Sequence, residues 1–128
     1  MESKYNWIGK TVLIAEDAET SVKYFQAALR KTGVRVLWAK NGLEAFEFVK
    51  NTPVSLILMD LDMPVMNGLV AAKLIKEFNP AIPVIAQSAH VMLGDHQASV
   101  EVGCDAYITK PISLEFLLGT VSRFLDTK

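Results

Sequence analysis

The chain has 128 residues, a length for one domain with a real hydrophobic core. About half of it is apolar (51%), and 13 basic residues face 14 acidic ones, a balance that excludes the electrostatic footprint of a nucleic-acid binder. No apolar run reaches transmembrane length, MESKYNWIGK lacks the apolar segment of a signal peptide, and a single cysteine, Cys104, excludes an internal disulfide framework; together these predict a cytoplasmic protein or a cytoplasmic piece of a larger one.

Five short runs rich in Val, Ile and Leu alternate with helix-period stretches. Residues 1–10 stand ahead of them as a linker or extension, in which Trp7 is available to cover a sheet edge. The run Thr11–Ala15 leads into a stripe of Val22, Phe25, Leu29 and Thr32, stopped by Gly33. Val34–Ala39 is followed, after Asn41-Gly42, by Ala45, Phe46 and Val49. Leu56–Met59 precedes a third stripe, Leu69, Ala72, Ile75 and Phe78, that Asn79-Pro80 ends. After Pro83–Ala86 comes Val91–Gly103, which holds Gly94 and few large apolar residues and predicts a short, loosely packed helix. Ala106–Thr109 is the last run. Ser113 then caps a helix whose broad face carries Leu114, Leu117, Leu118, Val121, Phe124 and Leu125.

Continuous apolar runs suit parallel strands buried on both faces. Five βα units in a row imply a parallel sheet flanked by helices, with right-handed crossovers and its functional crevice at the carboxyl ends of the strands. Those ends carry chemistry. The first strand ends at Glu16-Asp17, the third at Asp60 with Asp62 two residues on, the fourth at Ser88 and the fifth at Lys110-Pro111. Clustered carboxylates repel unless a cation sits among them, and Mg²⁺ takes one or two carboxylates plus water and phosphate oxygens. A carboxylate facing such a metal can be a nucleophile, with lysine and hydroxyl holding the phosphoryl oxygens. Singly, each residue reads as a cap, a turn or a solvated surface group. At matching ends of four strands they read as one site.

VLIAED, LILMDLDMPVMNG, IPVIAQSAH and DAYITKPI, in this order and spacing, resemble the receiver domain of two-component response regulators over essentially all of residues 11–128. The resemblance implies a flavodoxin-like, CheY-like five-stranded sheet of order 2-1-3-4-5. It implies Asp60 as phosphoacceptor, with Mg²⁺ held directly by Asp17, the Asp60 carboxylate and the Asp62 backbone carbonyl, and through water by Glu16. Ser88 and Lys110 would bind phosphoryl oxygens. Tyr107 would be the aromatic switch, turning inward as Ser88 is drawn to the phosphate. Pro64 would shape the loop after the acceptor, Gly68 would let the third helix start close by, and Lys110–Pro111 would be cis. The acidic pair is Glu-Asp where Asp-Asp is commoner, and Ser88 stands where Thr is usual, so the metal-side acid and the hydroxyl are both kept. Asp62 and His90 border the phosphoryl site in this family and are expected to set the lifetime of the phosphorylated state.

The implied partners are a histidine kinase or a histidine phosphotransfer domain, with no direct contact to nucleic acid or membrane; a homodimer is admitted. The face of the fourth helix, fifth strand and last helix would change its partner affinity. YNWIGKTVLIAED resembles the junction that precedes receivers in hybrid sensor histidine kinases, which implies a receiver excised from such a protein and tethered to a membrane sensor in the full chain. Two other functions fit parts of the pattern. Asp60-Leu61-Asp62 resembles the nucleophile motif of haloacid-dehalogenase-type phosphatases, although that family places it on the first strand of a larger core. A flavodoxin-like binding module that is never phosphorylated is the other. No glycine-rich phosphate loop follows the first strand, which argues against nucleotide binding.

Overall fold

The computed structural model describes residues 4–88 and 95–126. Strands and helices alternate: β1 (Thr11–Ala15), α1 (Glu19–Leu29), β2 (Arg35–Ala39), α2 (Gly42–Asn51), β3 (Leu56–Asp60), α3 (Gly68–Phe78), β4 (Val84–Ser88), α4 (Asp95–Glu101), β5 (Ala106–Thr109) and α5 (Leu114–Leu125). The strands form one parallel sheet of order β2-β1-β3-β4-β5: the parallel sheet is the one read from the alternation, and the order is the flavodoxin-like one that the receiver resemblance implies. No helix among the described residues is long and apolar enough to cross a membrane.

The central strands explain the unbroken apolar runs. LILMD in β3 and VIAQS in β4 are buried at every position, because helices cover both faces. One apolar layer joins Val12, Ile14, Leu58 and Ile85 to Phe25 of α1 and Leu117 of α5. The other joins Leu13, Ile57, Met59 and Val84 to Ala45 of α2 and Ile75 of α3. Asn41, Asn67 and Ser113 cap α2, α3 and α5, each side chain accepting a hydrogen bond from a backbone N–H three residues on.

Several boundaries differ from the reading of the sequence. β2 begins at Arg35, and Val34 is buried just outside the ladder. Thr32 does not continue the α1 stripe. It lies in a 3-10 turn, Arg30–Thr32, where its hydroxyl donates to the Leu29 carbonyl at 2.7 Å and accepts from Val34 N–H at 3.2 Å. β3 runs on through Asp60 and β4 through Ser88, so both polar residues are strand members. α4 is Asp95–Glu101, closed by Gly103 at φ +98°; residues 91–94 of the expected fourth helix lie outside the described residues. Phe78 and Leu114, placed on buried faces by periodicity, lie at the last residue of α3 and the first of α5 and are 53% and 48% exposed. Phe78 packs edge-on against Phe46 at 6.3 Å.

Trp7, ahead of β1, is fully buried and belongs to the apolar layer under α1 and α5. Its indole N–H donates to Asp126 Oδ1 at 2.8 Å, and Lys10 Nζ donates to the Leu125 carbonyl.

Candidate functional site

The strand order reverses between β1 and β3, whose chain connections leave toward opposite edges of the sheet. Such a switch point opens a crevice at the carboxyl ends. Ala15 pairs with Met59, so Glu16 and Asp60 follow as neighbours one step later. Glu16 is fixed by its backbone: its N–H donates to the Ala39 carbonyl at 3.0 Å, and its own carbonyl accepts from the Trp38 indole at 2.7 Å. Carboxylate oxygens of Glu16, Asp17 and Asp60 lie within 4.8 Å of one another; Glu16 and Asp60 are buried and Asp17 is exposed.

Lys110 reaches into this cluster from the end of β5. Its Nζ is 2.6 Å from Glu16 Oε1 and 3.8 Å from Asp60 Oδ2. Asp60 Oδ1 accepts from Asp62 N–H at 3.0 Å. Burial, and then a hydrogen bond shared with Glu16, push the Asp60 carboxyl up to about 7, against the lowering effects of the Asp62 N–H and Lys110. One lysine among three carboxylates leaves a deficit of positive charge, and every donor of the cluster is a hard oxygen. That donor set fits Mg²⁺ and does not select for softer metals.

The Asp62 carboxylate stands outside the three-acid cluster and accepts from Ser88 Oγ at 3.2 Å. Ala86 pairs with Tyr107 and Ser88 with Thr109, so Ser88 and Tyr107 share one face of the sheet. Burial first, then the charge of Asp95 and more weakly that of Asp62, raise the pKa of the Tyr107 phenol, and the neighbouring Ser88 hydroxyl lowers it. His90 lies outside the described residues.

The scaffold under the site is tight. A Cβ on Gly68 would sit 2.1 Å from the Asp60 carbonyl oxygen, so only glycine lets α3 begin there. The Lys110–Pro111 peptide is cis. One residue that motif reading did not single out is Gln87, the strand partner of Asp60. It is 1% exposed, and its Nε2 has no hydrogen-bond partner among the described residues. A polar residue inside an otherwise apolar strand run was the available signal.

A five-stranded doubly wound sheet with an acid cluster, hydroxyl and lysine at its carboxyl rim defines a phosphoacceptor class of domain. The chain belongs to the response regulator receiver domain family, which it matches over residues 12–122. It is 37% identical over 118 residues to the polar-differentiation response regulator DivK of Brucella anthropi, covering 91% of this chain and 96% of that one. The receiver domain of the sensor histidine kinase PA1611 from Pseudomonas aeruginosa, whose structure has a magnesium ion coordinated in the active-site cleft, superposes with a TM-score of 0.86 at 27% identity, over 93% of this chain and 99% of that one. The receiver of Ssk1 from Saccharomyces cerevisiae, solved with the histidine phosphotransfer protein Ypd1, superposes at 0.84 with 30% identity, over 92% and 90% of the chains.

Proposed function

We propose that this receiver accepts a phosphoryl group onto Asp60 from a phosphohistidine on a histidine kinase or histidine phosphotransfer partner. An Asp60 carboxylate oxygen attacks phosphorus in line, the P–N bond breaks, and the departing imidazole nitrogen takes its electron pair. The product is an acyl phosphate. Lys110, already between Glu16 and Asp60, neutralises charge on the transferred group. Ser88 leaves Asp62 and donates to a phosphoryl oxygen. Mg²⁺, when bound by Asp17, Asp60 and the Asp62 carbonyl, with Glu16 acting through water, supplies positioning and charge neutralisation.

The observation that carries this reading is the three-acid cluster with Lys110 reaching into it. The magnesium-holding PA1611 receiver and the Ssk1 receiver in complex with a phosphotransfer protein support the metal and the partner class. Hydrolysis of the acyl phosphate is assisted by the same site. Asp62, hydrogen-bonded to Ser88, and His90 set its rate. The domain acts as an acceptor and switch rather than as a turnover catalyst, and the similarity to receivers of sensor histidine kinases supports a hybrid-kinase parent.

Intact mass after incubation with a small phosphoryl donor and Mg²⁺ tests the proposal. The parent is expected to gain about 80 Da, one phosphoryl group, and Asp60→Asn to gain nothing. No gain in the parent, with the small donor or with a phosphorylated histidine domain, would replace this reading with that of a silent binding module.

A further inference from the structure

Four polar side chains stand together on one face of the carboxyl rim. Residues two apart along a strand share a face of the sheet, and so do partners across a parallel ladder. Ile14, Leu58, Ile85 and Ile108 belong to the apolar layer under α1 and α5. Glu16, Asp60, Gln87 and Lys110 each come two residues later on the same four strands or at their ends. The ladder continues past the strand ends, Glu16 N–H donating to the Ala39 carbonyl at 3.0 Å and Lys110 N–H to the Ser88 carbonyl at 2.9 Å. All four therefore head that layer, and Ser88 belongs to the other face.

Lys110 starts at the end of β5, yet its Nζ lies 3.8 Å from Asp60 Oδ2 on β3 and 2.6 Å from Glu16 Oε1 after β1. β4 runs between β5 and β3, so the lysine stem crosses over β4. The β4 residue on that face is Gln87, strand partner of both Asp60 and Ile108. Glu16, Asp60 and Lys110 satisfy one another. Gln87 is 1% exposed, and its Nε2 has no hydrogen-bond partner among the described residues. An amide buried without a partner destabilises the state in which it is left so. A group arriving between Asp60 and Lys110 would supply that partner. The amide offers two N–H donors and no charge, and a hydrogen bond from it to an anionic oxygen is a strong one.

We propose that Gln87 is a further ligand of the phosphorylated state, its Nε2 donating a hydrogen bond to an oxygen of the phosphoryl group carried by Asp60. The inference rests on the reading of Asp60 as acceptor. It adds a neutral donor from β4 to the hydroxyl of Ser88 and the ammonium of Lys110, on the face opposite to Ser88. Gln87 touches none of the metal-side acids, so it favours the phosphoryl group without changing the hold on Mg²⁺.

The probe is beryllofluoride, standing in for the phosphoryl group, at saturating Mg²⁺. The first readout is the side-chain amide of Gln87 in the parent, followed by NMR and assigned through its backbone. One Nε2 proton is expected to move downfield as beryllofluoride binds, together with the backbone amides around Asp60. The second readout is affinity in Gln87→Met, which keeps length and burial and removes the donor. Beryllofluoride should bind about tenfold more weakly there, the weight of one hydrogen bond to a charged group, and Mg²⁺ alone should bind as in the parent. A Gln87 amide that stays still while the amides around Asp60 move overturns the assignment. So does a Gln87→Met variant that binds beryllofluoride like the parent, or one that loses Mg²⁺ affinity in step, which is the mark of a packing role. A parent whose amides around Asp60 respond to Mg²⁺ and ignore beryllofluoride takes down the acceptor reading, and this inference with it.

Discussion

The two poles of the sheet are built on opposite terms. At the carboxyl rim, polar groups are left short of partners. Asp60 is a buried acid pushed up to about 7, Gln87 Nε2 is unpaired among the described residues, and α4 has no apolar anchor there. At the amino pole, polar groups are matched. Trp7 is fully buried with its indole N–H on Asp126, its backbone N–H donates to the Thr32 carbonyl at 2.7 Å, and Arg35 N–H donates to the Lys10 carbonyl at 2.9 Å. The rim keeps unmet electrostatic demand that a cation and a phosphoryl group can satisfy. The other pole supplies the stability that lets the rim keep it.

The contrast breaks most visibly at Trp7. Trp7→Ala should cost about 3–5 kcal/mol, read as a lower urea midpoint, because it empties a large volume from a packed layer. The folded fraction should still gain one phosphoryl mass, and a cost below about 1 kcal/mol would remove Trp7 as an anchor.

Asp60 comes next. The folded protein holds a proton on Asp60 far more tightly than the unfolded chain, where the carboxyl keeps its ordinary 3.8. Metal-free stability should therefore fall as pH rises from about 4 to about 7 and level off above, by on the order of 2–4 kcal/mol. Mg²⁺ at pH 8 should restore most of it, since it favours the ionised form. Denaturant titrations at pH 5 and pH 8 read the slope. Asp60→Asn should flatten it, and an unchanged slope in that variant would assign the pH dependence elsewhere.

Gln87 sharpens the comparison on a smaller scale. Replacing an unpaired buried amide by Leu should stabilise the metal-free protein by about 1 kcal/mol in the same titration. A loss of stability instead would mean that the amide is partnered in solution. Cys104 bears on reactivity and not on stability. Burial, and then the charge of Asp105, push its thiol up to about 11 against Lys76. Alkylation near neutral pH should be on the order of a hundredfold slower than for a free thiol, and should become fast on unfolding.

The alternation of strands and helices was legible because helices on both faces force the strands to be apolar throughout. The same logic hid two boundaries. Asp60 and Ser88 look like stops after apolar runs, yet each is the last residue of its strand. The acid, hydroxyl and lysine positions could be read because each follows a recognisable strand. Gln87 could have been noticed as a polar interruption, but that its Nε2 finds no partner among the described residues is a fact of three dimensions. His96 carries no periodic or motif signal at all. Its stacking on Tyr107 depends on where α4 crosses β5. That Tyr107 shares a sheet face with Ser88 likewise follows from the β4–β5 register, which spacing along the chain does not specify.

The clasp of Trp7 and Lys10 on the last turn of α5 has a mechanical consequence. The incoming and outgoing backbone are riveted side by side at the pole farthest from Asp60. A pull applied through the residues flanking the folded region loads this rivet first. The acid cluster stands at the other pole of the sheet, away from that load.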